Sequence, residues 1–268
     1  MDKYINKLSL ILDENNVCKS HGIDHAINVF NNATLALSEY NISDNIKKNI
    51  LLAYLLHDAD DYKFFKHQPK YTNLLKIMID DNEEDINMVI EMIELVSSSK
   101  NGDNIPKEYL MKYGDTWFLI PRYADRLEAI GYTGLIRAIT YSKTLKSEPL
   151  YVKETIIPES EEHIYEIASL ERYNNYNGIS KSLIDHFYDK LVRISFFPIR
   201  NNYFDNECNK KRKPIIDFLL YFGKCIKEKN SFTYDDINIF MSKLYYQYSF
   251  SFPQSFTALN TIDDNSGG

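Results

Sequence analysis

The chain has 268 residues, 44% of them hydrophobic and 26% charged, with a formal net charge of -7. That length supports one large core or two small ones, and the acidic balance argues against non-specific binding to a nucleic-acid polymer, which runs on excess Lys and Arg. A small anionic substrate stays compatible, because a local basic site can sit within an acidic protein.

The first residues, MDKYINKLSLILDENN, lack the apolar centre of a signal peptide. Apolar residues spaced by three and four predict helices over 3–15 and 23–39. Ser43 reads as an N-cap with Asp44 in the first turn, and DNIKKNILLAYLLHD follows as one helix, with Ile46, Ile50, Ala53, Tyr54 and His57 on one face. NLLKIMI and INMVIEMIELV predict two more helices, and SSSKNGDN with Pro106 breaks the pattern. Another helix is expected over about 121–130, with Pro121 in its first turn. GLIRAITYS continues as helix after Gly131 and Gly134. Residues 147–179 are the least regular stretch, where irregular structure or a short hairpin is expected. Ser180 is a candidate cap for SLIDHFYDKLVRI, Pro214 a candidate start for PIIDFLLYFGKCIKE, and a last helix spans about 234–248. The tail from 257 is polar and expected to be loose. No apolar run approaches the roughly 20 residues of a membrane span. Cys18, Cys208 and Cys225 are widely spaced and form no CxxC pair. A soluble, cytoplasmic protein in a reducing compartment, without structural zinc or a membrane partner, is therefore expected. The class is all-α.

The chemistry concentrates where an apolar run turns acidic, in LLHDADDYKF, residues 55–64. Adjacent helix residues point about 100° apart, so His57 and Asp58 reach one point only if it lies beside the helix. A cation there accepts a neutral imidazole and a carboxylate. His25 lies on the face of Val29, Ala33 and Ala36, and Asp125 is flanked by Ala124, Leu127 and Ile130. A lone histidine on an apolar face is ordinarily a satisfied core histidine, and Asp125 alone is accounted for by a pair with Arg126. Polar groups on three apolar helix faces, each costly to bury unpaired, have a common solution in one shared metal ion.

In order and context, His25, His57-Asp58 and Asp125 resemble the H…HD…D signature of the HD family of metal-dependent phosphohydrolases. SHGIDHAINV, LLHDADDYKF and YADRLEAIG are similar to the three segments that carry it, and HFYDKL, residues 186–191, to a downstream stretch of stand-alone bacterial-type members. The likeness spans about 20–195. It implies an HD-domain helical bundle over 1–200, with the irregular insertion at about 147–179. Residues 201–256 then form a C-terminal helical extension packed on the same domain, and 257–268 a flexible tail. It implies one divalent metal held by His25, His57, Asp58 and Asp125. That donor set suits Mn, Fe, Co, Ni or Zn, and Mg less well. Relatives with two metals carry two extra histidines between the doublet and the last Asp, where this chain offers only His67.

The resemblance also implies phosphate cleavage from a small phosphorylated molecule, with a nucleotide first among candidates, by attack of hydroxide formed at the metal. In many nucleotide-hydrolysing relatives an acid stands three residues after the Asp of the doublet. Here that is Asp61, shorter than the usual Glu, and Asp60 is the alternative; DADD also reads as a solvated helix end. Asp58 belongs to the catalytic set through the metal. His21 either touches substrate or caps the helix start. Lys63, Lys100, His186 and Lys190 are candidate substrate-binding residues because they fall in family-like segments, and Arg126, sharing a face with Arg122, is a candidate partner that steadies Asp125. The other function class compatible with these residues is a catalytically silent protein that binds metal and nucleotide. An HD-type oxygenase calls for further histidines that the chain lacks.

Overall fold

The computed structural model describes residues 1–17, 22–144 and 148–248, and among them no strand occurs. The Cys18 and His21 expectations, and the expected tail, lie outside the described residues, as does the side chain of His25. The helices are α1 (Asp2–Glu14), α2 (Ile23–Leu37), α3 (Asp44–Leu55), α4 (Thr72–Ile77), α5 (Glu83–Glu94), α6 (Ser98–Asn101), α7 (Lys107–Tyr113), α8 (Ile120–Glu128), α9 (Gly131–Thr144), α10 (Glu161–Ile167), α11 (Leu170–Asn174), α12 (Leu183–His186), α13 (Asn202–Lys229) and α14 (Tyr234–Tyr248). No helix among the described residues is long and apolar enough to cross a membrane.

Side-chain caps start many of these helices, as their sequences require. Ser43 accepts from the Ile46 N–H at 3.3 Å, and Asn82 from Asp85 at 2.8 Å. The cap before α12 is Ser182, which accepts from Asp185. Ser180, the candidate in sequence, instead donates to Asp189 Oδ2 at 2.7 Å. Pro214 does not begin a helix either, since α13 runs through it from Asn202. The stretch 147–179 contains α10 and α11 rather than a hairpin.

The core is one continuous cluster that runs from Tyr4 in α1 to Leu244 in α14. Its middle is α8, with Ile120, Tyr123, Ala124 and Leu127 fully buried. This helix packs against α2, α3, α5, α9 and α13, and α2 also packs directly on α3. The helices that carry His25, His57 and Asp125 are therefore mutual neighbours.

Candidate active site

Helix α3 stops just before the doublet. Its last carbonyls lack intrahelical partners, and His57 takes one of them: Nδ1 lies 2.7 Å from the Tyr54 carbonyl oxygen. A carbonyl only accepts, so Nδ1 carries the proton. This leaves Nε2 as the nitrogen available to a ligand. The Tyr54 ring also packs beside the imidazole, with centroids 5.4 Å apart. The DNIKKNILLAYLLHD helix expected from sequence is thus cut short, and the doublet sits in the turn beyond it.

His57 Nε2 faces two carboxylates, Asp58 Oδ2 at 3.4 Å and Asp125 Oδ1 at 3.6 Å. The His57 side chain is 7% exposed, and those of Asp58 and Asp125 are 25% and 31% exposed toward the cleft. Burial alone lowers the imidazole pKa, but the Asp58 and Asp125 charges overrule it and hold it up at about 10. Burial and the Asp125, Glu128 and Asp58 charges push the Tyr54 hydroxyl well above its ordinary value. That hydroxyl has no hydrogen-bond partner among the described residues. Together these shifts mark a point of concentrated negative charge, and the donor set there fits a divalent cation of the nitrogen- and oxygen-binding type. Among the described residues no group of three or more His, Cys, Asp or Glu side chains is placed to hold a metal ion by itself. His25, the fourth ligand that the resemblance implies, is carried by α2 against both α3 and α8.

The two further acids of DADD differ. Asp60 accepts from the backbone N–H groups of Asn73 at 2.9 Å and Leu74 at 3.0 Å, one on each oxygen. It caps α4, whose own preceding residue, Tyr71, is left-handed and offers no side-chain cap. Asp61 keeps Oδ1 on the Lys63 N–H at 2.9 Å and has Oδ2 3.8 Å from Lys63 Nζ.

His57, Asp58, Asp61 and Asp125 line a cleft of about 830 Å³, together with Lys63, Lys100, Arg126 and Lys190. Lys70, Glu94 and Arg137 also line it, and sequence reasoning did not single them out. Glu94 accepts from Lys100 at 2.6 Å and from Lys70 and Tyr71. Burial raises its carboxyl, but the two lysines more than reverse this and leave it below its ordinary value. Lys190 is half-buried, and burial lowers its ammonium; Arg137, Arg126 and Lys63 push the same way and Asp125 opposes them. Nothing in sequence marked Arg137, which reads as an ordinary charge on an amphipathic helix.

The structure does not bring His186 into this group. Its ring lies against Tyr176, with Nδ1 3.3 Å from the hydroxyl, and burial, with Lys190 adding to it, lowers its pKa to about 4. His186 and Lys190 were expected on one face at a spacing of four. Residues Phe187–Leu191 instead form a π-helical turn, closed by the Val192 N–H on the Phe187 carbonyl. The two side chains have different surroundings: Lys190 lines the cleft, and His186 packs on Tyr176. Arg126 donates to Asp103 Oδ1 at 2.5 Å and to the Gly102 carbonyl.

Among solved structures, the chain is similar to a protein from Lactobacillus plantarum, with a TM-score of 0.57 and 21% identity, covering 82% of this chain and 93% of that one. It is also similar to a Bacillus thuringiensis protein described as an HD-superfamily hydrolase, with a TM-score of 0.55 and 20% identity, covering 85% and 97%. The chain shares the all-helical fold of these two proteins. No family model matches it. It is 35% identical over 221 residues to the uncharacterised protein L803 of Acanthamoeba polyphaga mimivirus, a match that spans 75% of this chain and 88% of that protein. The chain belongs to the same family as the mimivirus protein.

Proposed function

We propose that this protein is a metal-dependent phosphohydrolase acting on a small phosphorylated molecule, with a nucleotide as the first candidate. One observation carries the reading: an imidazole nitrogen facing carboxylates from two elements, in a cleft lined by lysines and arginines. The hydrolase description of the Bacillus thuringiensis neighbour supports it. His57, Asp58 and Asp125, with His25, are the residues to hold a divalent cation, which when bound polarises phosphoryl oxygens and lowers the pKa of water from 15.7 toward about 7.

The chain's own side chains supply the rest. The Tyr54 carbonyl fixes the His57 tautomer and ring. Asp61 Oδ2 receives the proton of the attacking water, while Oδ1 stays tied to the Lys63 N–H. Lys190 neutralises the phosphate from its half-buried place in the cleft wall, with Lys63 and Lys100 toward the outside. Asp60 is held to capping by its two backbone donors.

The test is phosphate release from a panel of nucleotides and sugar phosphates, run with Mn, Co, Ni, Zn, Fe and Mg in turn and with a chelator. Release that requires a divalent cation is expected. Tight nucleotide binding with no release across the panel favours the catalytically silent reading instead.

A further inference from the structure

Residues 95–104 leave the end of α5, form the short α6, and return before α7. Val96, Ser97 and Lys100 from this loop line the cleft. It is joined to the end of α5 by side chains: Asn101 Nδ2 donates to the Glu94 carbonyl at 2.9 Å, and Lys100 reaches the Glu94 carboxylate.

Two buried arginines of α8 hold it from behind. Arg122 is fully buried. Its Nε donates to the Leu95 carbonyl and its Nη1 to the Asn104 carbonyl, both at 2.7 Å. Those carbonyls belong to the first and last residues of the loop, so one guanidinium closes its neck. Arg126, 1% exposed, reaches Asp103 and the Gly102 carbonyl farther along. The two are one helical turn apart, and Asp125 stands next to Arg126. A single turn of α8 thus presents Asp125 to the cleft and holds the loop that bears Lys100.

Burying two like charges one turn apart is costly, and Arg122 takes no carboxylate among the described residues. A planar fork that binds two acceptors at once is what Arg offers and Lys does not. We infer that Arg122 and Arg126 are positioning residues, which set the register of loop 95–104 against Asp125 so that one phosphate group meets both the metal-ligand carboxylates' cation and Lys100. The link to phosphate rests on the phosphohydrolase reading; the clamp on the loop does not.

The test uses the metal-loaded full chain with inorganic phosphate as probe. Arg126→Lys keeps the charge and removes the fork. Losing a hydrogen bond to a charged group corresponds to about tenfold or more. Phosphate affinity should fall by about that factor, metal content should stay as in the parent, and amide exchange over 97–103 should quicken. In a Lys100→Met background the same substitution should weaken phosphate far less, because the two residues act as one unit. Asp103→Ala removes the acceptor of the same contact at a partly exposed position and serves if Arg126→Lys fails to fold. An equal loss in both backgrounds, or unchanged exchange in the loop, overturns the inference while leaving the phosphohydrolase reading in place. A parent that binds no phosphate with any metal overturns that reading and the link to Lys100, and exchange then decides the clamp alone.

Discussion

Asp60 and Asp61 are neighbours with different partners, and the difference is testable. Asp61→Asn keeps the size of the side chain and removes the base. Turnover should fall by roughly 10²–10⁴-fold, the usual worth of general acid–base help, with bound metal retained. Asp60→Ala should cost about 0.5–2 kcal/mol of stability, the range for a lost helix cap, read as a shift in urea midpoint at unchanged slope. The opposite pattern, with Asp61→Asn fully active, assigns the proton to another group. At this scale the sequence was legible where a residue type contradicted its surroundings. His57 and Asp125 stood out because each interrupts an apolar face. The employment of Asp60 was not legible, because its donors come from Asn73 and Leu74, brought back by an intervening loop. Arg137 and Glu94 were missed for the same reason: each has its meaning from a partner or a cleft distant in sequence.

Elements were easier to find than their ends. Spacing located α5, α8 and α14 because each keeps an apolar stripe of helical period. Helix α3 ended early because His57 bonds to the Tyr54 carbonyl, a choice between a side chain and the backbone that periodicity does not record. Helix α13 runs through Pro214 because its burial against α8 and α9 outweighs the missing backbone donor. The insertion is tied to this helix at Gly223, where an added Cβ meets the Pro158 carbonyl oxygen at 2.5 Å. In a helix interior Gly→Ala ordinarily stabilises by about 0.5–1 kcal/mol. Gly223→Ala should do the reverse and destabilise by about 1–3 kcal/mol, the usual cost of overpacking. Chemical denaturation of the variant measures it, and a gain in stability contradicts the close approach.

Over the whole molecule, the residues of the site come from segments far apart in sequence, and α8 is what gathers them. It touches α2 and α3 on one side and α9 and α13 on the other, so the C-terminal helices complete the core around the site. Against a net charge of -7, the cleft collects Lys63, Lys70, Lys100, Arg126, Arg137 and Lys190. They stand beside five carboxylates, Asp58, Asp60, Asp61, Glu94 and Asp125, so the cleft is close to neutral where the chain as a whole is acidic, which spares an anionic ligand the overall repulsion. The all-α class was readable from one chain; the cleft and its cations were not, because they exist only once the helices pack. The central claim is that His57, Asp58 and Asp125 hold a cation together with His25. Metal content per chain, measured on the purified parent and on His57→Ala, tests it most directly. The account predicts about one divalent equivalent in the parent, as one tetrad of ligands holds, and its loss in the variant with the helical content unchanged. A full equivalent retained by His57→Ala contradicts it.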